Sequence, residues 1–287
     1  MNAAIKPTVT LVIGSGSVKC AASIGVVKAL TQAGIGIDRV VGCSAGALFA
    51  TMIALGYDTE KCIEVTTQTW TRHLTSQPHR MSLLRVLAPK LFGFNAATFG
   101  LRHSGLIEKA IRAPLGDLQF ADLSIPLHLT ATDFSNGELV ELSSGNVADA
   151  ILASLALPLV FKPVTIDGRL LIDGYLADPL PVSVAMRHGS QVIVAIGFES
   201  PYQEKVSGAG RFAFQLSAIL SNNLLKAKLA FHSATHHAEI LMILPEFTRQ
   251  RVRLFDTEKL PYIIEEGESA MQQQLPYLRE LLHAGRA

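Results

Sequence analysis

The sequence predicts an α/β fold of three layers, a mostly parallel but mixed central sheet flanked by helices. Three observations predict it. Short β-rich runs alternate with helical spacing at both ends of the chain, the pattern of parallel strands joined by crossover helices. Two turn signals in the middle, Asn136-Gly137 and Asp167-Gly168, mark hairpins that add antiparallel strands. The chain has 287 residues, 49% of them apolar and 17% charged, with a mean hydropathy of +0.32, enough apolar material for one large core.

Taken in order, Thr8 to Ile13 is a strand that runs into Gly14-Ser15-Gly16-Ser17, and Cys20 to Ala33 follows with Ile24, Val27 and Leu30 at helical spacing. Val40 and Val41 end a second strand at Gly42, and Ala45 to Leu55 is small, apolar and helix-forming. The 18 residues from Val40 to Tyr57 carry no charge, the nominal length of a membrane span. Gly42, Ser44, Gly46 and Gly56 within it favour a buried strand-turn-helix instead. Pro126 to Thr132 and Glu138 to Leu142 form the first hairpin. Val147 to Leu157 reads as a helix stopped by Pro158, and Val164 to Ile166 with Arg169 to Ile172 forms the second hairpin. Gln191 to Gly197 and Glu239 to Leu244 are strands on either side of a long helix from Arg211 to about His237. Pro261 to His283 reads as a terminal helix interrupted at Pro276.

Composition narrows the partners. Lys and Arg number 25 against 24 Asp and Glu, so no global field draws the chain to nucleic acid. Cys20, Cys43 and Cys62 are too few for a disulfide framework and contain no C-x-x-C pair, which fits a reducing compartment. Met1 to Thr10 has no apolar h-region, so no signal peptide is expected. With no repeat, low-complexity tract or long linker, residues 1–287 read as a single domain.

The chemistry centres on Gly42-Cys43-Ser44-Ala45-Gly46, a G-x-S-x-G pentapeptide where a strand passes into a helix. The two glycines permit a sharp turn that lifts the Ser44 hydroxyl out of the sheet and sets it at a helix N-terminus. Gly14-x-Gly16 ends the neighbouring strand, so its amides lie beside Ser44 and can supply oxyanion donors. Asp173-Gly174 follows the second hairpin, and a carboxylate there can take the serine proton.

Together these motifs resemble the patatin family of lipid acyl hydrolases, especially its bacterial members. The resemblance runs from about residue 8 to 197 and includes Ala153-Ser154-Leu155-Ala156-Leu157-Pro158 with Phe161 and Pro163-Val164, and Thr132-Asp133 with Gly137-Glu138. It implies a Ser-Asp dyad without histidine. Ser44 is then the nucleophile and Asp173 the base; Gly14, Ser15, Gly16 and Ser17 form the oxyanion loop, Gly42 and Gly46 the elbow, with Lys19 and Gly174 in support. Three departures stand out: Cys20 closes the Gly-rich motif where Gly is usual, Ser15 replaces its middle Gly, and Tyr175 replaces a small residue after Asp-Gly.

The resemblance implies hydrolysis of a lipid carboxylic ester of phospholipid or lysophospholipid type, without a cofactor. An acyltransferase with the same serine, and a non-catalytic membrane-associated protein of the same fold, are the alternatives. Gly14-x-Gly16 does not open a dinucleotide site, because Lys19 occupies the third glycine position and Asp38 precedes the second strand instead of ending it. His232 and His236 have ligand spacing for zinc but no acidic or Cys partner nearby, so no metal is expected, and His232, His236, His237 and His283 are weak candidates for a base. No Asp or Glu occurs between Glu64 and Glu108, where Arg72, Arg80, Arg85, Lys90 and Arg102 are interspersed with Leu83, Leu84, Val86, Leu87, Leu91, Phe92 and Phe94. This basic apolar stretch, about 72–104, is expected to act as a lid or insertion, touching an anionic membrane through 80–102. A helical C-terminal extension, about 211–287, begins in a second acid-free stretch with Phe212, Phe214, Leu216, Ile219 and Leu220, a pocket wall or a dimer helix. The expected location is cytoplasmic, peripheral on the inner membrane face.

Overall fold

A computed structural model describes residues 7–87, 89–200, 202, 205–234 and 239–284. The strands are β1 (Val9–Ile13), β2 (Arg39–Cys43), β3 (Leu127–Asp133), β4 (Leu139–Leu142), β5 (Val164–Ile166), β6 (Arg169–Asp173), β7 (Val192–Ile196) and β8 (Glu239–Ile243). The helices are α1 (Ala22–Gln32), α2 (Ala45–Ala54), α3 (Thr59–Thr69), α4 (Arg80–Leu87), α5 (Pro89–Phe92), α6 (Gly105–Leu115), α7 (Val147–Ser154), α8 (Val182–Arg187), α9 (Ala209–Ala234) and α10 (Leu260–Ala284).

The sheet order is β5-β6-β3-β2-β1-β7-β8, with β4 also paired to β3. β3, β2, β1, β7 and β8 pair in parallel, while β4, β5 and β6 join through antiparallel pairs. The mixed character therefore comes from the two hairpins. The β5-β6 turn is the two-residue kind: Asp167 has φ 50° and Gly168 φ 74°, the paired positive values of a type I′ turn. β1, β3 and β7 are buried end to end because helices cover both faces. Alternate side chains serve the two sides. Leu11, Ile13, Val40 and Val194 pack with α1, α2, α7 and α10, whereas Val12, Val41 and Ile193 pack with α8 and with Leu225 of α9.

Helix α10 reaches the core through an unusually close crossing with α1. A Cβ on Gly25 would collide with Ile264 O, and one on Gly267 with Ala22 O, so only glycine allows the two backbones this contact. Pro276 does not interrupt the helix as the sequence predicts. Met271, Leu278 and Leu282, buried on both sides of it, hold α10 continuous through the one amide hydrogen bond that proline removes. The segment after the Gly-rich loop opens as a tight 3-10 turn (Ser17–Ala21) before α1 begins. Helix α7 stops at Ser154, earlier than Pro158 requires, where the Ser154 hydroxyl turns to donate to Thr130 O at 2.7 Å. Cys20, Cys43 and Cys62 are free and buried. Among the described residues, no helix is long and apolar enough to cross a membrane.

Candidate active site

The site forms where β1, β2, β3 and β6 bring their ends together. β2 ends at Cys43 and α2 begins at Ala45, so Ser44 carries the whole change of direction. Its φ of 55° and ψ of −128° lie outside the regions a side chain ordinarily tolerates, a strain of about 1–3 kcal/mol. The neighbours enforce it. A Cβ on Gly42 would sit 2.7 Å from Ala50 Cβ and 2.8 Å from Ala47 Cα; one on Gly46 would sit 2.5 Å from Ile13 O. Both glycines are therefore required by the close approach of α2 to β2 and β1.

Asp173 arrives from β6, which pairs with β3 so that Asp173 faces Ala131. Its backbone is fixed by Asp173 N donating to Ala156 O at 3.0 Å and Thr132 Oγ1 donating to Asp173 O at 2.8 Å. A Cβ on Gly174 would collide with Thr130 O, so the residue after the carboxylate is glycine by contact. Ser44 Oγ donates to Asp173 Oδ2 at 2.7 Å, and Tyr175 N donates to Asp173 Oδ1 at 3.1 Å. Residues 129 positions apart are thus joined by one hydrogen bond. Asp173 is 2% exposed, and this burial raises its pKa to about 7 against the opposing hydrogen bonds from Ser44 and Tyr175 N. A carboxyl group poised near neutrality can take up and return a proton.

The Gly-rich loop divides in two. Gly14 N donates to Ile196 O at 3.0 Å and Ser15 N to Pro179 O at 2.8 Å, so these two amides are taken up by neighbouring carbonyls. Gly16 N and Ser17 N form no hydrogen bond among the described residues. Ser17 has φ 57°, and its hydroxyl donates to Leu254 O at 2.6 Å, while a Cβ on Gly16 would lie 2.5 Å from the Phe198 ring. Lys19 makes no hydrogen bond to Ser44 or Asp173 among the described residues: Nζ donates to Glu199 O at 3.3 Å and lies 5.6 Å from the Phe247 ring centroid, and burial lowers its pKa.

Three contacts were not assigned from the sequence. Ser44 N donates to Ser154 Oγ at 2.8 Å, which makes Ser154 the prop of the strained elbow. The Ala153-Ser154 block signalled its presence, but spacing gave it no partner. Thr132 Oγ1 also accepts from Ala177 N at 3.2 Å, closing the turn that carries Asp173. Tyr175 is buried and meets Ser217 of α9, and burial pushes its pKa up to about 12. With Asn222 bonded twice to Ser200, and Lys228 3.4 Å from the buried Asp178, this contact seats α9 beside the turn that carries Asp173.

The basic segment is anchored to the loop that follows α7. Leu101 N donates to Leu159 O and Arg102 N to Val160 O, both at 2.9 Å, on the loop that follows α7. Met81, Leu84, Val86, Leu91 and Phe94 are exposed there, as are Phe212, Leu216, Ile219 and Leu220 on α9. Phe214 is half-buried. Among the described residues no histidine hydrogen-bonds Ser44 or Asp173. His283 is exposed, and His236, His237 and the His232 side chain lie outside the described residues.

Known proteins resemble this chain in sequence and in fold. An uncharacterized NTE family protein of Mycobacterium tuberculosis is 33% identical over 190 residues, covering 66% of this chain and 49% of its own. Human patatin-like phospholipase domain-containing protein 6 is 28% identical over 210 residues, 71% of this chain and 14% of that protein. The chain thus spans about half the length, or less, of the curated relatives it matches. Among solved structures, human GIVD cytosolic phospholipase A2 with a methyl gamma-linolenyl fluorophosphonate inhibitor superposes with a TM-score of 0.56 at 12% identity, covering 98% of this chain and 60% of that one. VipD from Legionella pneumophila gives 0.53 at 15% identity, covering 98% and 67%. These two likenesses show the shared α/β fold. The family model for patatin-like phospholipase matches residues 11–186, a span that holds the elbow, the Gly-rich loop and Asp173, and the chain belongs to the patatin-like phospholipase family.

Proposed function

We propose that the protein hydrolyses a lipid carboxylic ester through a Ser44–Asp173 dyad. The observation that carries the reading is the 2.7 Å hydrogen bond from Ser44 Oγ to a buried carboxylate, made on a strained elbow. Asp173 takes the hydroxyl proton as Ser44 Oγ bonds to the ester carbonyl carbon. Negative charge then develops on the carbonyl oxygen, and the Gly16 and Ser17 amides are the donors left open for it. Collapse breaks the ester C–O bond, the alcohol leaves with the proton from Asp173, and the acyl group stays on Ser44. Water then gives its proton to Asp173, attacks the acyl carbon and releases the carboxylic acid, with the proton returned to Ser44.

Substrate class is read from the surroundings. The exposed apolar side chains of residues 81–94, set among Arg80, Arg85 and Lys90 with no acid, suit an anionic lipid surface. Family membership supports the same class. The test is release of p-nitrophenol from a medium-chain ester. Ser44→Ala is expected to reduce the rate to that of buffer while the far-UV circular dichroism is unchanged; equal rates for the variant and the parent would remove the esterase reading.

A further inference from the structure

A second cluster of chemically capable side chains lies away from the dyad. His128 of β3, Glu141 of β4 and His188, which follows α8, converge from three separate stretches of chain. Glu141 Oε1 is 2.8 Å from His128 Nδ1 and 2.6 Å from His188 Nε2. The imidazole centroids are 4.2 Å apart, and one ligand-capable atom from each residue lies within 4.8 Å of the other two. The side chains are graded in exposure, 10% for His128, 20% for Glu141 and 34% for His188, so the cluster is closed toward the sheet and open at one corner.

We infer that these three residues form a binding site for a divalent transition metal ion, with Zn²⁺ the ion the donor set suits best. Two imidazole nitrogens and one carboxylate oxygen are a set zinc takes at about 2.0–2.2 Å, leaving a fourth position for water. Ca²⁺ and Mg²⁺ prefer all-oxygen sites and are disfavoured by two imidazoles. Tetrahedral ligands at that bond length lie about 3.3 Å from one another, so the His128 and His188 nitrogens must draw back from Glu141 Oε1 by about 0.5 Å and about 0.7 Å. His188, at a helix end and partly exposed, can give that movement. Each imidazole nitrogen that faces Glu141 can carry the hydrogen of its present bond.

Arg187 completes the arrangement as an outer partner, with its Nη2 donating to Glu141 Oε2 at 3.0 Å. That contact holds the carboxylate so that Oε1 faces the imidazoles. Two guanidinium groups, Arg187 and Arg39, whose Nη1 donates to His188 O at 3.2 Å, oppose the cation and moderate its affinity. His128 pairs with Val41, three residues before Ser44, about 10 Å back along the sheet at strand spacing. A metal here fastens α8 to β3 and β4 and touches no reacting atom. The cluster escapes sequence inspection because its members are 13 and 47 residues apart, outside any short ligand spacing.

The experiment uses the full chain, stripped with EDTA, desalted and titrated with Zn²⁺ alone by calorimetry, with Co²⁺ absorption as the spectroscopic check. One equivalent is expected to bind and to raise Tm. His188→Gln retains a donor toward Glu141 and is expected to weaken binding by more than about tenfold, the scale at which even outer partners act. It should leave ester hydrolysis unchanged. Glu141→Gln should weaken binding likewise, and His103→Gln, in the separate pair that His103 forms with His79 at 5.9 Å between ring centroids, should not. Absence of saturable binding by the parent, or equal affinity in the parent, His188→Gln and Glu141→Gln, would overturn the assignment. If His188→Gln fails to fold, the Glu141→Gln titration decides alone.

Discussion

The elbow and the segment from Arg80 to Phe94 are both rich in small or apolar residues, yet they are opposites in packing. At the elbow, Ala45, Ala47, Leu48 and Phe49 are fully buried, and the glycines leave no room for even a methyl group. In the segment, Leu91 is 82% exposed and Phe94 59%. Buried apolar groups fix geometry because nothing around them can yield. Exposed ones fix nothing; they keep unrealised burial free energy that an apolar partner can recover, about 25 cal/mol per Å². Under the proposed function, the rigid region performs the chemistry and the exposed one meets the substrate's phase.

That comparison breaks first at Gly46. Gly46→Ala places a methyl 2.5 Å from Ile13 O and 2.6 Å from Gly14 O, backbone atoms that cannot swing aside. A loss of about 3 kcal/mol or failure to fold is expected in urea titration; a well-folded variant would show that the elbow is not rigid. Ser154→Ala is next. It removes the acceptor of Ser44 N and the donor to Thr130 O, and should cost about 1–3 kcal/mol while lowering kcat more than KM for a soluble ester. Unchanged kcat would deny Ser154 its role as prop. The smallest stability effect belongs to Leu91→Ser with Phe94→Ser, within about 0.5 kcal/mol of the parent. Hydrolysis of a soluble ester should persist, and sedimentation with anionic vesicles should fall. Undiminished sedimentation would separate this surface from lipid contact.

Much of the candidate site was legible in the sequence because its signals are local. Gly42 to Gly46 states its turn in five residues, and Asp167-Gly168 sets the hairpin that delivers Asp173. The Ser44–Asp173 distance was not legible in itself, since it depends on β6 pairing with β3 and β3 with β2. Nor was the division of the Gly-rich loop, where the Gly14 and Ser15 amides go to carbonyls more than 160 residues away in sequence. The continuity of α10 through Pro276 is another case, for tertiary packing overrode a local helix-breaking signal. Tyr175 stood out as a departure from the family pattern, but only the seating of α9 gives its hydroxyl a partner.

Asp173 links chemistry to stability with a definite sign. Burial lifts its folded pKa to about 7, above the unfolded value near 3.9, so the folded state prefers the protonated acid. Its contribution is fully present below pH 4 and is lost as pH rises through about 7. Asp173→Asn removes that penalty, and at pH 8 the variant should be at least as stable as the parent.

The central claim is that this carboxylate takes the Ser44 proton, and the direct measurement is the rate at which a fluorophosphonate labels Ser44 as a function of pH. For the parent, labelling mapped to Ser44 should rise with pH through a midpoint near 7; in Asp173→Asn it should be slower by about 10²–10⁴-fold and flat across that range. Labelling of Asp173→Asn at the parent's rate, or labelling of a different serine, would contradict the account.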